Sequence, residues 1–202
     1  MKPSILLSAF AVTVALSAPA LAAPKIGAPA PAFTATDVNG KSHSLADYKG
    51  KTVVLEWNNP ECPFVQKHYG SGNMQALQKS ASQNGVVWLT INSSADGTQG
   101  NMKPQVAKQW LAAQKAAPAA YLLDEKGTVG RLYEAKTTPH MYVIDPKGTL
   151  VYMGAIDDKP TANPDDIKTA KNYVTAALTS VKAGQPVADT ATKPYGCSVK
   201  YK

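Results

Sequence analysis

Two residues of the 202-residue chain could carry thiol chemistry, Cys62 and Cys197, and no other cysteine is present. Cys62 lies in the stretch 51–69, KTVVLEWNNPECPFVQKHY, and is followed directly by Pro63. Proline suits the first helical position because its missing N–H would find no partner there anyway. Cys62 therefore falls at or beside a helix N-cap. Exposed backbone N–H groups and the positive end of the helix dipole favour a thiolate at such a place, drawing it below the usual thiol value of about 8.5. Cys197 sits in the terminal segment PYGCSVKY, 135 positions away. In an oxidising compartment a pair of cysteines is ordinarily a disulfide, and a structural bridge across that separation would contribute ~4 to 5 kcal/mol in the chain-entropy model. The other reading is a redox-active pair, and the settings of the two cysteines decide between them.

The elements that must position Cys62 follow from the pattern around it. Residues 52–57 form a short apolar, β-branched run without alternation, which suits a strand covered on both faces. Asn58, Asn59 and Pro60 break it. The helix opened by Pro63 carries Val65 and Tyr69 on one face, Gly70, Ser71 and Gly72 interrupt it, and Asn73 is placed to cap a second segment through Met74, Leu77 and Ala81. Residues 86–92 read as a second buried strand and 104–116 as a helix with Val106, Trp110 and Leu111 at helical spacing. A short strand at 119–123 and a helical turn within 127–134 follow. Residues 141–144 and 149–155 form an antiparallel hairpin about the turn at 145–148. The clearest amphipathic helix covers 166–182, with Ile167, Ala170, Val174, Ala177 and Val181 on one stripe and Gly184 beyond its end. Ahead of all these, Asn39-Gly40 marks a small hairpin over 33–45. Alternating strands and helices followed by a hairpin and a closing helix imply an α/β fold, a mixed central sheet flanked by helices.

Lys2, the apolar stretch after it and Ala20-Leu21-Ala22 make residues 1–22 a secretory signal peptide, so export, to a compartment such as the bacterial periplasm, is expected. Residues 23–184 are then one domain, and 185–202 a polar, proline-punctuated tail carrying Cys197. No stable membrane insertion is expected after signal cleavage. The formal charge is +7, but the basic residues are scattered along the chain, which argues against nucleic-acid binding.

The helix-opening Cys62-Pro63, joined to Lys136-Thr137-Thr138-Pro139-His140 directly before MYVID, resembles the thioredoxin-like superfamily, and more narrowly the peroxiredoxin-like redoxins of the AhpC/TSA and TlpA type. The stretches 145–148, 154–158 and 194–201 support the resemblance, which covers roughly 27–202. It implies a thioredoxin-like fold, a cis peptide bond before Pro139 facing Cys62, and an exposed backbone edge at Thr138 where an extended substrate could add as a strand. It also implies an oxidoreductase with Cys62 as nucleophile and Cys197 as resolving partner, no cofactor, a peroxide or a protein disulfide as substrate, and an external thiol as reductant. Trp57, Asn59, Pro63, Thr138 and Pro139 are the expected substrate-binding residues.

The departures from those families matter too. The fourth position of a Cys-x-x-Cys motif is Val65, so any intramolecular partner must be Cys197. Where peroxiredoxins place a proline and then a hydroxyl before the reactive cysteine, this chain has Leu55 and Asn59. Copper-handling thioredoxin-fold proteins of the Sco type offer a different class. Cys62, Cys197 and His140 could make a three-ligand site, although Gln66 stands at their second cysteine position. A redox-inactive binding module stapled by a Cys62–Cys197 disulfide is a third reading. His68 is expected to be a surface or packing residue, and His43 and Asp157 to be solvated.

Overall fold

The computed structural model describes residues 23–202, so the signal peptide expected over 1–22 lies outside the described residues. Nine strands and five helices follow in the order β1 (Thr34–Asp37), β2 (Ser42–Ser44), β3 (Val53–Trp57), α1 (Pro63–Gly70), α2 (Asn73–Gln83), β4 (Val87–Asn92), α3 (Pro104–Gln114), β5 (Ala120–Leu123), α4 (Thr128–Leu132), β6 (Thr137–Thr138), β7 (His140–Ile144), β8 (Leu150–Gly154), α5 (Tyr173–Lys182) and β9 (Cys197–Ser198). Seven strands make one sheet in the order β2-β1-β5-β4-β3-β7-β8, and β6 pairs separately with β9. Strands β3, β4 and β5 are parallel, whereas β7 runs antiparallel to β3.

Every residue of β3 and β4 is buried, as the absence of alternation in both runs requires. Val53, Leu55 and Trp57 face one core with Leu89, Ile91, Tyr133 and Tyr142. Val54 faces the other with Cys62, Val65, Tyr69, Met74, Met141, Val174 and Ala177, contributed in part by α1, α2 and α5. The mixed sheet between helices therefore stands as the sequence implied.

Two local expectations are corrected. Asn73 does not cap α2: Gly72, at φ +77°, is the N-cap, and the Asn73 amide turns back to His68. The amphipathic segment 166–182 is not one helix. A 3-10 turn (Pro164–Lys168) ends at Thr169, and α5 begins afresh after Asn172, whose side chain accepts from the Thr175 amide. Asp158 accepts from the Lys171 amide at 2.9 Å, so side chains take the backbone donors that a continuous helix would use.

Candidate active site

Strand β3 delivers the chain to the loop 58–61, and Cys62 takes the N-cap of α1 in extended conformation with Pro63 at the first helical position. No side chain caps this helix end. The Thr138–Pro139 peptide is cis, and the Cys62 thiol donates to the Thr138 carbonyl at 3.0 Å. From the other side the Cys197 amide donates to Cys62 Sγ at 3.4 Å. Both cysteines are free thiols, Cys62 wholly buried and Cys197 partly covered. Burial, then a hydrogen bond to Cys62 and the charge on Cys62, push the Cys197 thiol well above its ordinary value.

In this structure the tail already reaches Cys62. It is already docked along the edge that the cis-proline bend presents. Thr138 pairs with Cys197 and Thr137 with Ser198, antiparallel, and the Val199 amide donates to the Lys136 carbonyl at 3.1 Å. Beyond Cys197, the Ala95 amide donates to the Lys200 carbonyl, and the Tyr201 hydroxyl to the Ala135 carbonyl at 2.8 Å. The Tyr201 ring lies flush against Gly127 and Gly130, where a Cβ would meet it at 2.6 and 2.7 Å.

Of the other expected substrate residues, Thr138 and Pro139 stand opposite Cys62, and Pro63 is exposed at the helix start. Trp57 does not line a cleft. It is fully buried in the core on the opposite face of the sheet, tilted against Tyr133 and edge-on to Tyr142, with its indole donating to Ser93. The physical reason is the period of the strand, which sends Trp57 and the chain leading to Cys62 to opposite sides. Asn59 is committed to its own loop: Oδ1 accepts from the Glu61 amide at 2.9 Å and Nδ2 donates to the Gln99 carbonyl. These contacts fix the orientation of its amide.

His140 shares a face with Tyr142 rather than with Cys62, and its ring packs 4.5 Å from that tyrosine. Burial pushes its pKa down to about 3. The three-ligand copper set is therefore not assembled, and among the described residues no three His, Cys, Asp or Glu side chains gather to hold a metal ion. His43 is buried rather than solvated, bonded to Asp37 at 3.0 Å and to Tyr48 at 2.5 Å.

Two groups near the site escaped the sequence reading. Glu56 is buried beneath Cys62's side of the sheet and accepts from Tyr69, Trp88, Thr90, Asn58 and Gln78 at 2.8 to 3.4 Å. Burial raises its pKa. A carboxylate inside an otherwise apolar strand was the available signal. Asp157, expected in solvent, is buried with Lys67 and His68 around the Tyr195 hydroxyl. Nothing in their spacing foretold that convergence.

A helix-start cysteine facing a cis-proline across a mixed sheet, with a second thiol at its side, defines a thioredoxin-like thiol oxidoreductase. The model of the AhpC/TSA family matches residues 26–153, and the chain belongs to that family. Among characterised relatives, the thiol-disulfide oxidoreductase ResA of Geobacillus kaustophilus is 28% identical over 124 residues, 56% of this chain and 71% of that protein. A conserved protein of Geobacillus kaustophilus has a crystal structure that superimposes with a TM-score of 0.73 at 29% identity, covering 88% of this chain and 93% of that one. A thiol:disulfide interchange protein of the DsbE type from Chlorobium tepidum aligns at TM-score 0.53 and 25% identity over 64% of this chain and 84% of its own.

Proposed function

We propose that the protein is an exported thiol-disulfide oxidoreductase that acts on protein disulfides, with Cys62 as nucleophile and Cys197 as the resolving cysteine. The observation that carries this reading is the placement of Cys62 Sγ between the Thr138 carbonyl and the Cys197 amide. The Cys62 thiolate attacks one sulfur of a substrate disulfide, and the other substrate sulfur leaves as a thiolate. Cys197 then loses its proton and attacks Cys62 Sγ in the mixed disulfide, releasing the second substrate thiolate. The substrate gains two electrons, the Cys62–Cys197 disulfide forms, and an external dithiol reduces it again.

The order of the steps follows from the electrostatics. Two of the three causes that hold the Cys197 proton are the hydrogen bond to Cys62 and its charge. Both disappear once Cys62 is locked in a mixed disulfide, so the resolving thiol becomes a better nucleophile when it is needed. Peroxide reduction fits less well, because Leu55 is core and Asn59, held in orientation by Glu61 and Gln99, supplies no hydroxyl of the kind peroxiredoxins use. Export rests on the leader-like composition of residues 1–22.

Insulin-disulfide reduction driven by a dithiol tests the assignment. Cys62→Ser should abolish turnover, and Cys197→Ser should accumulate a mixed disulfide visible by mass spectrometry. Full turnover in Cys62→Ser would remove the proposal.

A further inference from the structure

The tail crosses the site in the way an incoming disulfide-bearing segment would have to. Residues 197–198 add as an antiparallel strand to Thr137–Thr138, and the Cys197 amide donates to Cys62 Sγ at 3.4 Å. Gly196 permits the approach, at φ +132°, because a Cβ there would lie 2.1 Å from the Thr138 carbonyl oxygen. Extended peptides recognised by strand addition gain affinity from the main chain and specificity from side-chain pockets beside the edge.

One such pocket is filled, by Tyr195, two residues before Cys197. Its ring meets Phe64 edge-on at 5.7 Å and has the Lys67 ammonium 5.5 Å from its centroid. The hydroxyl is held as both donor and acceptor. It donates to Asp157 Oδ1 at 2.5 Å and lies 3.2 Å from His68 Nε2. The Asn73 amide donates to His68 Nδ1 at 2.8 Å, which leaves the histidine proton on Nε2, aimed at the phenol. Lys67 balances Asp157 at 3.6 Å and donates to the Lys159 carbonyl at 2.8 Å. Lys67, His68 and Asp157 are all buried. This is an expensive set of polar groups to remove from water, and its geometry matches a phenol rather than a phenyl ring.

We propose that the tail is docked as an internal image of the substrate, and that the Phe64, Lys67, His68 and Asp157 pocket is a specificity subsite. It takes a tyrosine two residues before the reactive cysteine of an extended partner polypeptide. The inference rests on Cys62 being the exchanging thiol, and it adds which segment that thiol selects. The partner lifts the tail, lays its own strand along residues 136–138 and seats its tyrosine where Tyr195 was, and the tail re-docks to bring Cys197 back to Cys62 Sγ as the partner leaves.

The test uses the full chain carrying Cys197→Ser and Tyr195→Ala, which leaves one cysteine and an emptied pocket. A synthetic peptide with the sequence of residues 193–201 is offered as its mixed disulfide with thionitrobenzoate, beside versions carrying Tyr195→Phe and Tyr195→Ala. Cys62 attacks the peptide sulfur, the bond to thionitrobenzoate breaks, and that thiolate leaves with the electron pair and is read by its absorbance. The parent peptide should react roughly tenfold faster than either variant, the size expected when a hydrogen bond to a charged group is lost. Equal rates for the three peptides, with the small reagent dithiobis-nitrobenzoate still reacting at Cys62, would overturn the subsite and leave the exchange reading intact. Failure of every reagent, dithiobis-nitrobenzoate included, would remove both. The same comparison in Cys197→Ser with Tyr195 retained guards against misfolding of the emptied variant. There the parent peptide should be slower overall, since it competes with the chain's own tyrosine, yet still ahead of the Tyr195→Ala peptide. Equal rates there also overturn the subsite.

Discussion

At the scale of single residues, the site depends on groups whose ionisation the fold controls through burial. His140 is held to a pKa of about 3 and His68 to about 4, against 6.5 for a free imidazole, chiefly because both are desolvated. A depressed histidine pKa means that the unfolded chain takes up protons first. The stability these residues allow is therefore complete above about pH 6.5 and is lost as the pH falls from there toward their folded values. Urea midpoints measured between pH 7 and pH 4 should decline, and His140→Gln should flatten that decline; an unchanged slope would contradict the burial argument. Glu56 works by a different balance, because five side-chain donors converge on one carboxyl. Glu56→Ala should destabilise the chain by about 3 kcal/mol, since the loss strands several buried donors at once. Chemical denaturation measures it.

At the scale of elements, the pairing of β6 with β9 is the feature on which reactivity turns. It covers Cys62 and sets Cys197 beside it with only two residues on each strand. So short a ladder is held by what flanks it, Tyr195 on one side and Val199 and Tyr201 on the other. Gly196→Ala forces a Cβ against the Thr138 carbonyl in a backbone region that disfavours side chains, and should loosen β9 without touching the main sheet. Iodoacetamide labelling of Cys62 should then accelerate roughly tenfold, as expected for an opening made easier by about 1.4 kcal/mol, while the melting temperature hardly moves. Labelling at the parent rate would mean that β9 does not gate the thiol. The N-cap position itself was plain from Cys62-Pro63, because proline at a helix start is a local rule. The partition of 164–182 into a 3-10 turn and α5 was not, since it depends on Asp158 reaching Lys171 from another segment.

At the scale of the whole molecule, the described chain is closed by its own end. The two cysteines are 135 positions apart, and the tail is docked with both of them as free thiols. Oxidising them should therefore act mainly on the unfolded chain and stabilise the protein by about 4 kcal/mol, read as the difference in urea unfolding between oxidised and reduced forms. A difference near zero would mean that the bond distorts the docked tail. The sequence by itself determined the strand–loop–helix unit around Cys62, the alternation that makes a mixed sheet between helices, and the motif Thr138-Pro139 before β7, because each is written in local periodicity or in a dipeptide. Only the tertiary structure decided which face a side chain meets and what comes from far along the chain to meet it. It turned Trp57 and His140 to the side away from Cys62, drew Glu56 and Asp157 out of solvent, and laid Tyr195 and Cys197 across the helix start. Burial and long-range pairing depend on how separate segments pack together, and no local pattern encodes that.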